Sequence, residues 1–149
     1  MFGGLLVAAW AIYMTVIVAS NGTDLLASFG WIHTAFRSGN LAFIQTATRV
    51  YFHSRPVDQV LLGCVLVWEA SAAALLWYGT IAWTGTLWRT MGAAEAGLIV
   101  VALLWMAFAI ITEIFVAYDR GVNESAYWVL AIANLVTLVV VSLCRRDAA

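Results

Sequence analysis

The sequence contains few charged residues and no lysine, and each shortage excludes a class of protein. Only 10% of the 149 residues are charged, the formal net charge is −1, and the seven basic residues are all arginines scattered along the chain. Nucleic-acid binding requires a basic patch or stripe, so we exclude that function. Soluble domains are about a quarter charged and about half apolar, whereas 64% of this chain is hydrophobic. The composition therefore predicts an integral membrane protein.

Proline, cysteine and histidine are also scarce. The single proline, Pro56, and the lack of a Gly/Ser-rich linker favour one domain. Cys64 and Cys144 are predicted near opposite membrane faces, too far apart for a disulfide bond. His33 and His53 lie in one connecting segment, with a spacing that specifies neither a haem nor a metal site. No phosphate loop, dinucleotide fingerprint or nucleophile motif is present, so we expect no cofactor, no metal and no enzymatic activity.

Apolar residues are abundant, and they form four long runs separated by charges. Each run is long enough for one membrane crossing, which takes about 17–25 residues. Continuous runs without alternation favour helices over a closed barrel. The first run lacks the basic leader of a cleaved signal peptide, so we expect it to be retained. We predict one all-α domain over 1–149, an integral membrane four-helix bundle with helices at about 3–20, 58–78, 95–118 and 125–144.

The connection between the first two predicted helices, about 21–56, is unusually long. Structureless loops above about 15 residues are uncommon in compact proteins, so we predict that this one lies in the membrane interface and contains a short helix over about 40–53. Asn40 is a candidate cap for that helix, and Pro56 follows its end. The aromatic residues of the segment suit headgroup depth; they are Trp31, Phe36, Tyr51 and Phe52.

The arginines divide almost equally between the two predicted membrane faces, so the positive-inside rule gives only a slight preference for one orientation. That rule is read mainly from short flanking segments, and the long connection therefore counts less. On this basis we expect both termini to lie in the cytoplasm.

Two carboxylates interrupt the apolar runs at positions that are expected to lie inside the membrane. At 1.5 Å per residue, Glu69 lies roughly 16 Å beyond Asp58, near the midplane, and Glu113 lies roughly 9 Å short of Asp119 on the same side. A charge at the bilayer centre costs about 2.5–3.5 kcal/mol, so Glu69 is expected to face inward. We predict an intramembrane polar layer formed by Glu69, Glu113, Asn134 and Thr112.

A buried Glu69 requires either a proton or a partner. Arg49 and Arg55 are the candidate ion-pair partners, because the interfacial segment can fold back over the helix ends. Two interpretations stay open at this point: a carboxyl group that holds the bundle together, or one that handles a proton, an ion or a ligand. Small residues four positions apart also favour close helix packing in lipid; these pairs are Ala70 with Ala74 and Ala93 with Gly97.

Several short motifs are shared with one known family. Helix 1 ends in Asn21-Gly22-Thr23-Asp24, followed by "SFGWIH"; later come Arg49, Pro56, Trp68-Glu69, the stretch "LLWMAFAIITEIF" and Asn123. With these motifs the chain resembles the bacterial small integral membrane proteins of domain-of-unknown-function family 2165. It departs from that pattern where the family has His, Gly and Trp, and this sequence has Thr34, Thr112 and Ile114.

The resemblance implies a four-helix protein of the bacterial inner membrane with no established activity. It directs attention to Asn21 and Asp24 as loop partners, together with Arg49, Glu69 and Glu113. Our first functional hypothesis is a non-enzymatic accessory or assembly subunit that binds another membrane protein or itself. The alternatives are proton, ion or small-molecule transport through the carboxylate layer and, third, a small haem- or quinone-binding membrane anchor.

Overall fold

The computed structural model describes residues 2–84, 92–115 and 124–146, and within these ranges the regular structure is entirely helical. Four of the helices are long and apolar enough to cross a membrane. The predicted all-α four-helix bundle is therefore confirmed. In chain order the helices are α1 Phe2–Ser28, α2 Asn40–Thr48, α3 Arg55–Thr84, α4 Gly92–Ile114 and α5 Glu124–Arg146.

The four long helices form a closed ring in which α1 packs against α3, α3 against α4, α4 against α5, and α5 against α1. Each pair is antiparallel. Trp10 near the start of α1 bonds to Thr137 late in α5, and Glu95 at the start of α4 accepts a hydrogen bond from Ser142. The core between the helices is apolar and includes Val7, Met14, Leu76, Leu98, Val101, Trp105 and Val141.

Glycine allows α3 and α4 to approach closely. A Cβ atom built on Gly79 would lie 2.6 Å from Ala94 Cβ and 2.7 Å from Ala94 Cα, and one built on Gly97 would lie 3.0 Å from Leu76 Cγ. Of the predicted small-residue pairs, Ala70 and its partner four residues on are both exposed. The close contact in α3 is instead made at Gly79, nine residues after Ala70.

The first helix is longer than predicted, because it continues past residue 20 to Ser28. The polar residues that suggested an earlier end have partners within the helix or in the fold. The hydroxyl groups of Thr23 and Ser28 each donate to a backbone carbonyl three residues earlier, while Asn21 and Asp24 are buried. The interfacial connection is correspondingly shorter, from residue 29 to residue 54.

The short interfacial helix begins at Asn40 as predicted but ends at Thr48 rather than near residue 53. Residues 49–54 turn the chain into α3, which begins at Arg55. Pro56 lies in the first turn of α3, where proline is favoured because no amide hydrogen is needed there. The predicted end of the third membrane helix at residue 118 lies outside the described residues.

Candidate functional site

A network of polar side chains joins α1, α3 and the interfacial segment. We call Asn21, Asp24, Ser38, Asn40 and Glu69 the polar network. At its centre, the Asn21 amide nitrogen donates to both carboxyl oxygens of Glu69 at 2.8 Å. Glu69 is 1% exposed and Asn21 is fully buried. The carboxyl group in the middle of α3 is thus held by α1.

The network extends from the membrane interior towards the interface through a second asparagine. The Asn40 amide donates to Asn21 Oδ1 at 2.7 Å. The side-chain amide of Asn21 therefore both donates and accepts, and it links Glu69 to the first residue of α2. The prediction that Asn40 caps its own helix is wrong: the capping position is Gly39, in a left-handed conformation, and no side chain of the helix bonds there.

The cap of α2 is supplied instead from α1. Asp24 Oδ2 accepts a hydrogen bond of 2.9 Å from the Leu41 amide and one of 3.2 Å from the Ser38 hydroxyl. The first amide groups of a helix have no intrahelical acceptor, and a carboxylate there also interacts favourably with the helix dipole. Asp24, three residues after Asn21 on α1, therefore attaches the start of α2 to the bundle.

Replacing Asp24 by alanine is expected to destabilise α2 by about 1 kcal/mol, the usual cost of losing a helix cap. Hydrogen–deuterium exchange should show faster exchange at the amides of Leu41 and the next residues, with little change in the centre of α1. Asp24→Asn is the matched control because the amide oxygen still accepts a hydrogen bond. Equal exchange in Asp24→Ala and the unaltered protein would contradict the assignment of Asp24 as the cap.

A second group of contacts fixes the far end of α2. The Thr48 hydroxyl donates to Asp58 Oδ1 at 2.8 Å, and both side chains are buried. Tyr51 in the following turn donates its hydroxyl hydrogen to the Ile114 carbonyl at the end of α4. Arg55 Nη2 donates to the Ser28 carbonyl at the end of α1. The turn between α2 and α3 is therefore closed by a bond between these two helices and attached to the ends of α1 and α4.

This turn borders a polar cleft of about 270 Å³. Its lining includes Arg49, His53, Arg55 and Asp58, and we call it the arginine cleft. Arg49 and Arg55 are predicted as partners of Glu69, but both are exposed at the cleft, 20 and 14 residues before Glu69 in the chain. The carboxyl group that lies nearest to them in the sequence is Asp58, which shares the cleft.

The other members of the predicted polar layer do not join Glu69. Within the described ranges, the hydrogen-bond donor to Glu69 is Asn21 alone. Glu113 is exposed on α4. Thr112 and Asn134 are buried, but each bonds within its own helix, to the carbonyls of Phe108 and Leu130 respectively.

Sequence reasoning found Glu69 by its depth, and found Asn21 and Asp24 through the family resemblance. It missed the roles of Ser38 and Asn40, because the partner of each lies 14 or more residues away in the chain. The available signal was the pair Asn21 and Asp24, three positions apart. On a helix that extends to Ser28 these two side chains share one face, which then points to one common set of partners.

The part of the chain that the structure describes is thus an all-helical protein whose four apolar helices can span a membrane as a bundle, with an interfacial helix fixed to it by the polar network. Comparisons with models of protein families, with curated proteins and with solved structures found no match to this chain.

Proposed function

We propose that this protein is a non-enzymatic accessory or assembly subunit of a membrane complex. The single observation that supports this proposal most is the hydrogen bonding of the buried Glu69 carboxyl group. Both oxygens of Glu69 accept from Asn21, which in turn accepts from Asn40. Glu69 and Asn21 thus help to fix the interfacial segment to the membrane helices.

The surroundings of Glu69 also favour a structural role for this residue over transport of an ion or proton. A transported ion or proton needs a water-filled route to the intramembrane carboxylate. Glu69 is almost fully enclosed, and it lines neither the arginine cleft nor the small cavity of about 40 Å³ between α2, α4 and α5. A group that is closed in on every side and bonded to an amide is suited to stabilisation.

The interfacial segment is a suitable surface for a partner. It carries large exposed aromatic side chains, with Trp31 72% and Phe36 52% exposed. Its position is fixed at both ends by Asp24 and by Thr48. Aromatic residues at this depth contact headgroups, and they are also enriched in protein interfaces. A rigid aromatic surface beside a membrane bundle fits lateral docking onto a larger subunit.

Native mass spectrometry of the protein, extracted gently from its own membrane, tests this proposal. We expect a defined complex that contains larger subunits in fixed ratio. Trp31→Ala should reduce the occupancy of that complex, whereas Ile132→Ala, at an exposed position on α5 outside the segment, should leave it unchanged. A lone monomer under the same conditions would contradict the accessory role.

A transport function is the second candidate, and one observation favours it. Within the described residues Glu69 has no cationic partner, and an uncompensated carboxylate in the middle of a membrane helix is characteristic of proton and ion pathways. Glu69→Gln separates the two candidates because the amide keeps the shape and an oxygen acceptor. The accessory role predicts an intact complex and unchanged proton flux in reconstituted vesicles, with Glu113→Gln as the control. Loss of flux with intact assembly would instead favour transport.

A further inference from the structure

We propose that the arginine cleft binds a phosphate group, and specifically the phosphate of an anionic phospholipid at the membrane interface. This goes beyond the accessory role and does not depend on it. Two guanidinium groups, Arg49 and Arg55, and the imidazole of His53 converge on one concave surface of about 270 Å³. A water molecule occupies about 30 Å³ in the liquid, so the cleft has room for a phosphate group with part of its hydration.

The charges in the cleft favour an anion. Arg49 and Arg55 contribute two positive charges, against one carboxylate, Asp58. Asp58 is 3% exposed, and its Oδ1 is occupied by the hydrogen bond from Thr48. The negative group therefore lies in the floor of the cleft, while both arginines are exposed. A ligand entering from outside meets the guanidinium groups first.

Arg49 is the residue that is available for the ligand. Among the described residues its guanidinium group makes no hydrogen bond or ion pair, whereas Arg55 uses Nη2 to bind the Ser28 carbonyl. That bond fixes the position of Arg55 and leaves its other N–H groups for a second acceptor, since a guanidinium has five. Arginine presents its donors in a planar fork that matches two oxygens of a phosphate.

The depth of the cleft indicates a lipid source. Glu69 lies at the centre of α3, and Arg55 lies fourteen residues before it, which is about 21 Å along the helix. Half of the hydrocarbon core is about 15 Å, and the headgroup region extends to about 20–22 Å from the midplane. With the centre of α3 at the bilayer midplane, the cleft is level with the phosphates of one leaflet. Tyr51 and Phe52 beside it are exposed, as expected of side chains that contact headgroups.

Two contacts make this a preformed site. The Thr48 carbonyl at the end of α2 is occupied, because it accepts from the amides of Tyr51 and Phe52. It therefore does not compete for the arginines. The Tyr51 hydroxyl is bonded to Ile114, so the turn that carries Arg49 is attached to α4. The cleft is lined by the end of α2, the following turn and the first residues of α3, and clustered basic residues at a membrane surface attract anionic headgroups.

Lipid retention by the detergent-purified full chain tests the proposal. Native mass spectrometry is performed after addition of phosphatidylglycerol or phosphatidylcholine at equal concentration. We expect the protein to retain phosphatidylglycerol in preference to phosphatidylcholine. Arg49→Gln should weaken this binding about fivefold, because one basic residue near an anionic surface contributes about 1 kcal/mol, and Arg49→Lys should weaken it less. Arg37→Gln is the matched control, because Arg37 is an exposed arginine that bonds to Thr34 in its own loop.

Each outcome of this experiment either supports or overturns the proposal. Equal retention of the two lipids, or no difference between Arg49→Gln and Arg37→Gln, would overturn the proposal. Competition by millimolar inorganic phosphate tests the source: displacement of the lipid only at high excess supports the headgroup, whereas tight binding of inorganic phosphate without lipid would overturn the lipid assignment. Circular dichroism of Arg49→Gln is expected to match the unaltered protein, since the Arg49 side chain bonds to no residue in the described ranges.

Discussion

Gly79→Ala is expected to lower the free energy of unfolding by about 2–3 kcal/mol, the upper range for overpacking a close contact. The added methyl group would lie 2.6–2.8 Å from three atoms of Ala94, of which two belong to the backbone. A flexible side chain could rotate away, but a helix backbone cannot. The methyl group can be accommodated only if α3 and α4 move apart, which also loosens the contact between Leu76 and Gly97.

The measurement is reversible unfolding in mixed micelles, followed by the fluorescence of the eight tryptophans. Gly63→Ala is the matched control on the same helix, because a Cβ atom at Gly63 would meet nothing within 4 Å. That substitution should be neutral or stabilising by up to about 1 kcal/mol, the difference in helix propensity between the two residues. Equal effects at Gly63 and Gly79 would show that helix propensity, and not the contact with Ala94, determines the result.

The second large effect is expected at Asn21. Asn21→Leu keeps a similar volume but removes the donor to Glu69 and the acceptor for Asn40 at once. An unsatisfied buried polar group costs about 1–3 kcal/mol, and more for an ionised one. Polar groups in membrane proteins also find partners in the unfolded state, which reduces the measured cost of each bond. We therefore expect a loss of about 2 kcal/mol in the same unfolding assay.

The double substitution Asn21→Leu with Glu69→Leu tests the physical reason. If the cost arises from the stranded carboxyl group, removing it as well should recover part of the stability, because replacing both partners by apolar groups can be nearly neutral. Asn40→Ala is the control, and it should cost less stability than Asn21→Leu, because Asn40 is exposed and its loss leaves the bond between Asn21 and Glu69 intact. A double variant less stable than Asn21→Leu would contradict this explanation.

The two predictions concern a helix contact at Gly79 and a buried polar pair, Asn21 and Glu69. The sequence indicated the inward position of Glu69 but not the contact at Gly79. Glu69 was visible because a carboxylate inside an apolar run is costly and therefore must face inward. The second membrane helix is predicted to end at about residue 78, directly before Gly79. Gly79 is instead an interior residue of α3, five positions before the helix end at residue 84. A glycine at a helix crossing and a glycine near a helix end have the same local pattern, and only the neighbouring helix distinguishes them.

The sequence by itself determined the class of the protein, the number of membrane helices and the inward position of Glu69. These follow from composition and from the length of apolar runs, which are properties of single segments in lipid. It also placed the start of the interfacial helix correctly at Asn40. It failed on the end of α1, because polar residues at 20–28 resemble a loop when their partners are not known.

The tertiary structure alone decided which polar groups meet. Depth along a helix gives one coordinate, and by that coordinate Glu113, Asn134 and Glu69 belonged to one layer. The rotation of each helix about its axis gives the other coordinate, and it is set by packing against neighbours. That rotation leaves Glu113 exposed, directs Asn134 to a carbonyl of its own helix and turns Asn21 towards Glu69.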